Sequence, residues 1–250
     1  MSISTAAQKN HEELFPNHKS LLKETDPEFI DYYDNFAFDE VIAKGPMEVK
    51  LRVKVILAAL IACQALTHFK VMVGASMNVG VTPVEIKEIV YQAVPYVGWA
   101  KVFDFVFAAN EVLKSRGVTL PLEGQSTTTP ETRFEKGLAA QKAIFGDSID
   151  KMRETSPADQ VHIQDFLSAN CFGDHYTRKG LDLKTRELLT FAMLLSMGGC
   201  EPQLKGHIQG NVNVGNGKEV LLNTITELLP YVGYPRTLNA VKCLNDYFSV

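Results

Sequence analysis

One ungapped offset organises the chain. Shifting the sequence by 135 residues lays Pro95-Tyr96-Val97-Gly98 on Pro230-Tyr231-Val232-Gly233 and Asn78-Val79-Gly80 on Asn213-Val214-Gly215. The same shift pairs Lys44-Gly45 with Lys179-Gly180, Asp39 with Asp174 and Asn110 with Asn245. A register held that long without a gap marks an internal duplication rather than chance, and a repeat constrains a fold more than any local propensity. Two like units are expected, packed about a pseudo-twofold axis. Between them, Gly117, Pro121, Gly124 and Pro130 punctuate a polar stretch that reads as a linker. The boundary is placed so that the units are residues 1–123 and 124–250.

Within each unit the signals are helical. Thr82-Pro83-Val84-Glu85 is a capping box with proline at the first helical position, and Ile86, Ile89, Val90 and Ala93 continue at helical spacing. Leu188, Leu189, Ala192 and Leu195 do the same before Gly198-Gly199, a helix stop. Sustained strand-type alternation is absent. The expected fold class is all-α, two tandem helical domains of five or six helices each.

Composition excludes several functions. With 25 Lys and Arg against 29 Asp and Glu, a net charge of −4 and no basic run, the chain lacks the footprint of a nucleic-acid binder. Its longest apolar run, Val55 to Cys63, is about half of what a membrane span needs. The first ten residues lack the apolar stretch of a secretory signal, so a cytoplasmic location is expected. Cys63, Cys171, Cys200 and Cys243 form no CxxC and no zinc spacing, so free thiols and no metal are expected.

The chemistry-bearing stretch runs from Glu187 to Asn211. A helix starting at Pro202 places Cys200 at its amino end, where amide hydrogens and the helix dipole lower a thiol's pKa. If helical phase reaches back to it, Cys200 lies about 20° from His207 on the helix face, with Gln203 and Asn211 on the same stripe. Glu187, on the preceding helix, is positioned to orient the imidazole. A free cysteine is equally a small buried hydrophobe; the phased His and the preceding Glu tilt the balance toward a site. Cys63, Cys171 and Cys243 read as core, His68 and His175 as structural, and His11, His18 and His162 as surface. Arg236, after Tyr234-Pro235, is either a surface charge or a grip for a carboxylate. The offset puts Ala65, His68, Met72 and Arg52 where Cys200, Gln203, His207 and Glu187 stand. One site per chain follows, with residues 1–123 serving mostly as scaffold and interface.

The run from Phe172 to Thr190, with His207, Asn213-Val214-Gly215 and Pro230-Tyr231-Val232-Gly233, resembles the carboxymuconolactone decarboxylase family, which is related to alkylhydroperoxidase D. The resemblance implies an all-helical fold assembling into trimers or hexamers, hence a homotrimer for a duplicated chain. The peroxidase branch carries a Glu, then Cys-x-x-Cys, then a His four residues after the second Cys. Cys200 and His207 match the first Cys and the His, but Gln203 replaces the second Cys, and Glu187 stands one residue too far away. The decarboxylase branch has the His without the CxxC and needs no cofactor. It implies acid–base chemistry at His207 with Glu187 as orienter, Gln203, Asn211 and Arg236 seating a small organic acid or lactone, and Cys200 as a further donor. The alternatives are a thiol peroxidase using Cys200 and a non-catalytic helical oligomer.

Overall fold

The computed structural model describes residues 2–249. Every regular element among them is helical. The first half runs α1 (Thr5–Leu14), α2 (Leu22–Thr25), α3 (Pro27–Asn35), a π-helical segment π1 (Phe36–Glu40), α4 (Val41–Lys44), α5 (Val49–Ala62), α6 (Leu66–Asn78), α7 (Pro83–Val97) and α8 (Trp99–Ser115). The second runs α9 (Arg133–Phe145), α10 (Ser148–Glu154), α11 (Val161–Phe166), π2 (Leu167–Tyr176), α12 (Leu183–Met197), α13 (Glu201–Asn213), α14 (Lys218–Val232) and α15 (Tyr234–Phe248). Adding 135 carries the bounds of α6 onto α13 and of α7 onto α14 residue for residue. The halves hold more helices than the expected five or six, because short helices and π segments break up the stretch before each four-helix unit.

Local chemistry sets these boundaries. At α7 the Thr82 side chain accepts from the Glu85 amide while Glu85 returns a bond to the Thr82 backbone, a complete capping box. Asp182 caps α12 by accepting from the Thr185 amide at 2.7 Å. The repeated Pro-Tyr-Val-Gly ends α7 and α14 alike, with Gly98 at φ 91° and Gly233 at φ 79°, values that favour glycine.

α5 and α12 are the central pair. Residues Arg186 to Ser196 of α12 are buried without interruption, and so is most of α5, as expected of helices enclosed on all sides. α12 packs against α5 and α7, and α14 packs against α5, so the contacts keep their pattern when the halves are exchanged. A single apolar cluster runs through α5 to α8 and α12 to α15, and the two repeats share one core. The linker from α8 to α9 is strapped to the second half. The Lys179 amide donates to the Gln125 carbonyl at 2.9 Å, and Thr127 Oγ1 donates to the Thr177 carbonyl at 2.8 Å.

Candidate functional site

The site forms where α12, α13 and π2 of the second half meet α7 of the first. Glu187 of α12 has no exposed surface, and its Oε2 lies 2.9 Å from His207 Nδ1. Its Oε1 accepts the Tyr176 hydroxyl at 2.7 Å. Asn211, one turn beyond His207, donates to the carbonyls of Glu187 at 3.0 Å and His207 at 2.7 Å, fastening α13 to α12 at the pair. α13 comes this close because Gly210 has no side chain: a Cβ there would lie 2.5 Å from Glu187 Oε2 and 2.7 Å from Phe145. The His207 ring is held edge-on by Tyr96, 5.5 Å away, and Phe145, 5.4 Å away. Its side chain keeps 13% exposure against none for Glu187, so the imidazole reaches the surface and the carboxylate does not.

The hydrogen bonds behind this pair run in one direction. An ionised carboxylate only accepts, so Tyr176 must donate to Glu187 and receive from its other two partners, Tyr96 at 2.8 Å and Thr190 at 2.8 Å. The Cys171 thiol donates to the Tyr96 hydroxyl at 3.7 Å, and Gln92 Nε2 donates to Thr190 at 3.2 Å. Arg186 Nη1 feeds Gln92 Oε1 at 2.9 Å, and Arg186 Nη2 pairs with Glu88 at 2.8 Å. Burial pushes the Tyr96 and Tyr176 phenols well above their ordinary range and the Cys171 thiol up to about 12, so all three keep their protons and remain donors. The network converges on Glu187 and supports its negative charge. With Nδ1 given to the carboxylate, Nε2 is the imidazole nitrogen left to face a substrate.

Six residues were singled out from sequence, and the structure brings three together: Glu187, His207 and Asn211. Cys200 is elsewhere. It is the N-cap of α13 as expected, but at φ −134° and ψ 36° it is not in helical phase, and its thiol turns back to donate to the Leu194 carbonyl at 3.2 Å. Burial raises its pKa, with Glu201 adding to the rise, opposite to the lowering expected at a helix start. The dipole effect loses because the thiol is half-buried beside a carboxylate and faces a carbonyl oxygen. Gln203 is exposed on the outer face of α13. Arg236 lines a small crevice with Cys200 and Glu201, and its Nη1 reaches Cys63 Sγ at 3.6 Å. His11 is half-buried against Phe15 and Phe38, not on the surface, and burial lowers its pKa.

Sequence reasoning missed Tyr96, Tyr176, Thr190, Gln92 and the placement of Cys171 beside Tyr96 in the network. Tyr96 had a signal, since it lies in the repeated Pro-Tyr-Val-Gly. The first half is therefore more than scaffold: α7 supplies a ring against His207 and part of the network. Among the described residues, no three His, Cys, Asp or Glu side chains gather as a metal-ligand set, and no helix is long and apolar enough to cross a membrane.

A duplicated all-helical unit whose second copy holds a His–Glu pair, with Tyr96 of the first copy against the imidazole, defines the class of fold. The chain matches the carboxymuconolactone decarboxylase family twice, over residues 27–111 and 162–246, and belongs to that family. It is 29% identical over 120 residues to a 4-carboxymuconolactone decarboxylase of Acinetobacter baylyi, covering 48% of this chain and 89% of that protein. It is also 28% identical over 103 residues to an uncharacterised 15.0 kDa protein of Paracoccus denitrificans, covering 41% of this chain and 72% of the other.

Proposed function

We propose that the chain is a cofactor-free, decarboxylase-like enzyme acting on a small organic acid or lactone through His207 and Glu187. The observation that carries this is the buried Glu187 carboxylate, held between His207 Nδ1 and the Tyr176 hydroxyl, with donors converging on it. When a lactone acid loses carbon dioxide, the C–C bond breaks and its electron pair moves into the π system conjugated with the lactone carbonyl. A proton must then reach carbon. His207 delivers it from Nε2, Glu187 stabilises the imidazolium before the transfer, and solvent restores the proton at the exposed edge of the ring. The thiol-peroxidase alternative gains no support from Cys200, whose pKa is raised and whose sulfur faces a carbonyl.

The reading includes a homotrimer, which the family resemblance implies, and a reducing cytoplasm, which suits four free cysteines. Trp99, Phe103 and Phe107 form an exposed stripe on α8, and Tyr234 and Leu238 lie exposed at the same offset on α15, apolar faces suited to subunit contacts.

The test is carbon dioxide release from 4-carboxymuconolactone, the substrate in the Acinetobacter relative's name. Wild type is expected to turn it over, and His207→Ala and Glu187→Gln to lose about 10²–10⁴-fold in kcat, the usual worth of a positioned acid–base group. Full activity in His207→Ala would falsify the assignment. Peroxide consumption lost in Cys200→Ser would replace it with the thiol chemistry.

A further inference from the structure

A cavity lies where α7 and α8 meet the linker, and neither His207 nor Glu187 is among its lining residues. It measures about 420 Å³, within the range of small-molecule sites. Lys87, Lys114 and Arg178 line it against Glu88 and Glu123. Glu88 is already neutralised from two sides: Arg178 grips it with Nε and Nη2 at 2.9–3.0 Å, and Arg186 holds it from behind at 2.8 Å. Counting Arg186, four cations face two carboxylates in a protein whose net charge is −4. The local excess of positive charge is thus built against the overall balance.

Lys87 is the feature that needs a ligand. It is only 7% exposed, yet its ammonium has no carboxylate partner among the described residues, and its one hydrogen bond goes to the neutral Asn110 Oδ1 at 2.8 Å. It also lies 5.1 Å from the centroid of the Tyr91 ring, as does the Arg178 guanidinium. An ammonium carries three donors, and an amide oxygen and a ring face leave one uncommitted in a cavity that both groups line. A buried cation with no counter-charge is costly, and here burial holds its pKa below the ordinary lysine value. Val84, Val106, Leu120 and Leu122 supply apolar wall beside it.

We propose that this cavity binds a small organic anion, with its carboxylate on Lys87 and its apolar body against Tyr91 and the linker. The site is independent of the chemistry assigned to His207. It joins both halves of the molecule, since α7, α8 and the linker form most of the wall and Arg178 comes from the second half.

The test is calorimetric titration of the full chain at low salt with sodium benzoate and, separately, inorganic phosphate. Wild type is expected to bind one benzoate at the Lys87 cavity. Lys87→Met, which keeps the stem and removes the charge, should weaken it at least about tenfold, as loss of a charged hydrogen bond predicts. Lys87→Arg should restore much of the affinity. Lys70→Met, which touches only a surface pair with Glu111, should change nothing. His207→Ala separates the two sites: benzoate binding that disappears there and persists in Lys87→Met overturns the proposal. So does an absence of benzoate binding in wild type, or tighter binding of phosphate than of benzoate. Should Lys87→Met fail to give the wild-type circular dichroism spectrum, Lys114→Met on the cavity's exposed rim takes its place, with a weakening of about two- to fivefold expected and an unchanged affinity counting against the site.

Discussion

Two buried polar clusters stand at matching positions of the repeat, each built from both halves, and they are nearly charge-inverted. One, the site, joins Glu187 and His207 of the second half to Gln92 and Tyr96 of the first. At the same offset stand Arg52, Glu227, Tyr231 and Met72. The first arrangement is satisfied around one carboxylate. In the other, Arg52 Nη2 and Glu227 Oε1 are buried and find no hydrogen-bond partner among the described residues. Burial lifts the Glu227 carboxyl to about 7, and Arg52 opposes this only in part. A duplicated fold thus keeps two interior polar sites although only one of them holds an imidazole. The backbone places the polar positions, and side-chain choice decides whether they can move a proton.

Gly210 offers the sharpest way to break that comparison, because its counterpart, Ala75, already has a Cβ. Gly210→Ala gains up to about 1 kcal/mol of helix propensity. The new methyl would meet Glu187 Oε2 at 2.5 Å, Phe145 at 2.7 Å and Ile144 at 3.0 Å, all fixed by packing. Overpacking of that kind costs about 1–3 kcal/mol and outweighs the gain. The variant should therefore unfold at lower denaturant and lose the turnover proposed for His207, since Glu187 and His207 are pushed apart. Unchanged stability and turnover would show that the close approach of α13 to α12 is not needed.

Next in size is Glu227→Gln, which probes the unsatisfied cluster through pH. In the folded chain the carboxyl keeps its proton to about pH 7; unfolded, it ionises near its ordinary 4.5. Between these values the folded state binds the extra proton. The stability this group contributes is whole below 4.5 and is lost as pH rises through 7. Glutamine lacks that loss, so the variant's advantage should grow from near zero at pH 4.5 to about 1–3 kcal/mol at pH 8. Parallel stability curves for wild type and variant would mean that the carboxyl titrates normally.

The repeat, the all-helical class and the helix starts were legible in the sequence because they depend on local chemistry and on a register that survives divergence. The Thr82 capping box and the α13 start at Glu201-Pro202 are of that kind. Glu187, His207 and Asn211 were legible because they lie on two consecutive helices whose spacing fixes their faces. Tyr96 was not, since its contact with His207 depends on α7 of one repeat crossing to α12 of the other, a tertiary fact that no local pattern encodes. Cys200 misled for a different reason. Counting residues assumes helical phase, and an N-cap residue leaves that phase by definition of its backbone angles.

That difference sets the smallest predicted effect. Cys200 and Gln203 fall outside the polar network, one bonded to the Leu194 carbonyl and the other exposed. Cys200→Ser keeps a donor for that carbonyl in a half-buried position, so stability should change by less than about 1 kcal/mol. The carbon dioxide release proposed for His207 should stay within about threefold of wild type in both Cys200→Ser and Gln203→Ala, because neither touches the Glu187–His207 pair. Steady-state kcat and KM for the two variants, measured beside His207→Ala, decide whether the second half works through its imidazole and carboxylate or through the sulfur at its helix start. A loss in Cys200→Ser comparable to that in His207→Ala would require the α13 amino end to rearrange on substrate binding, bringing the thiol round to the face that now holds His207 and Asn211.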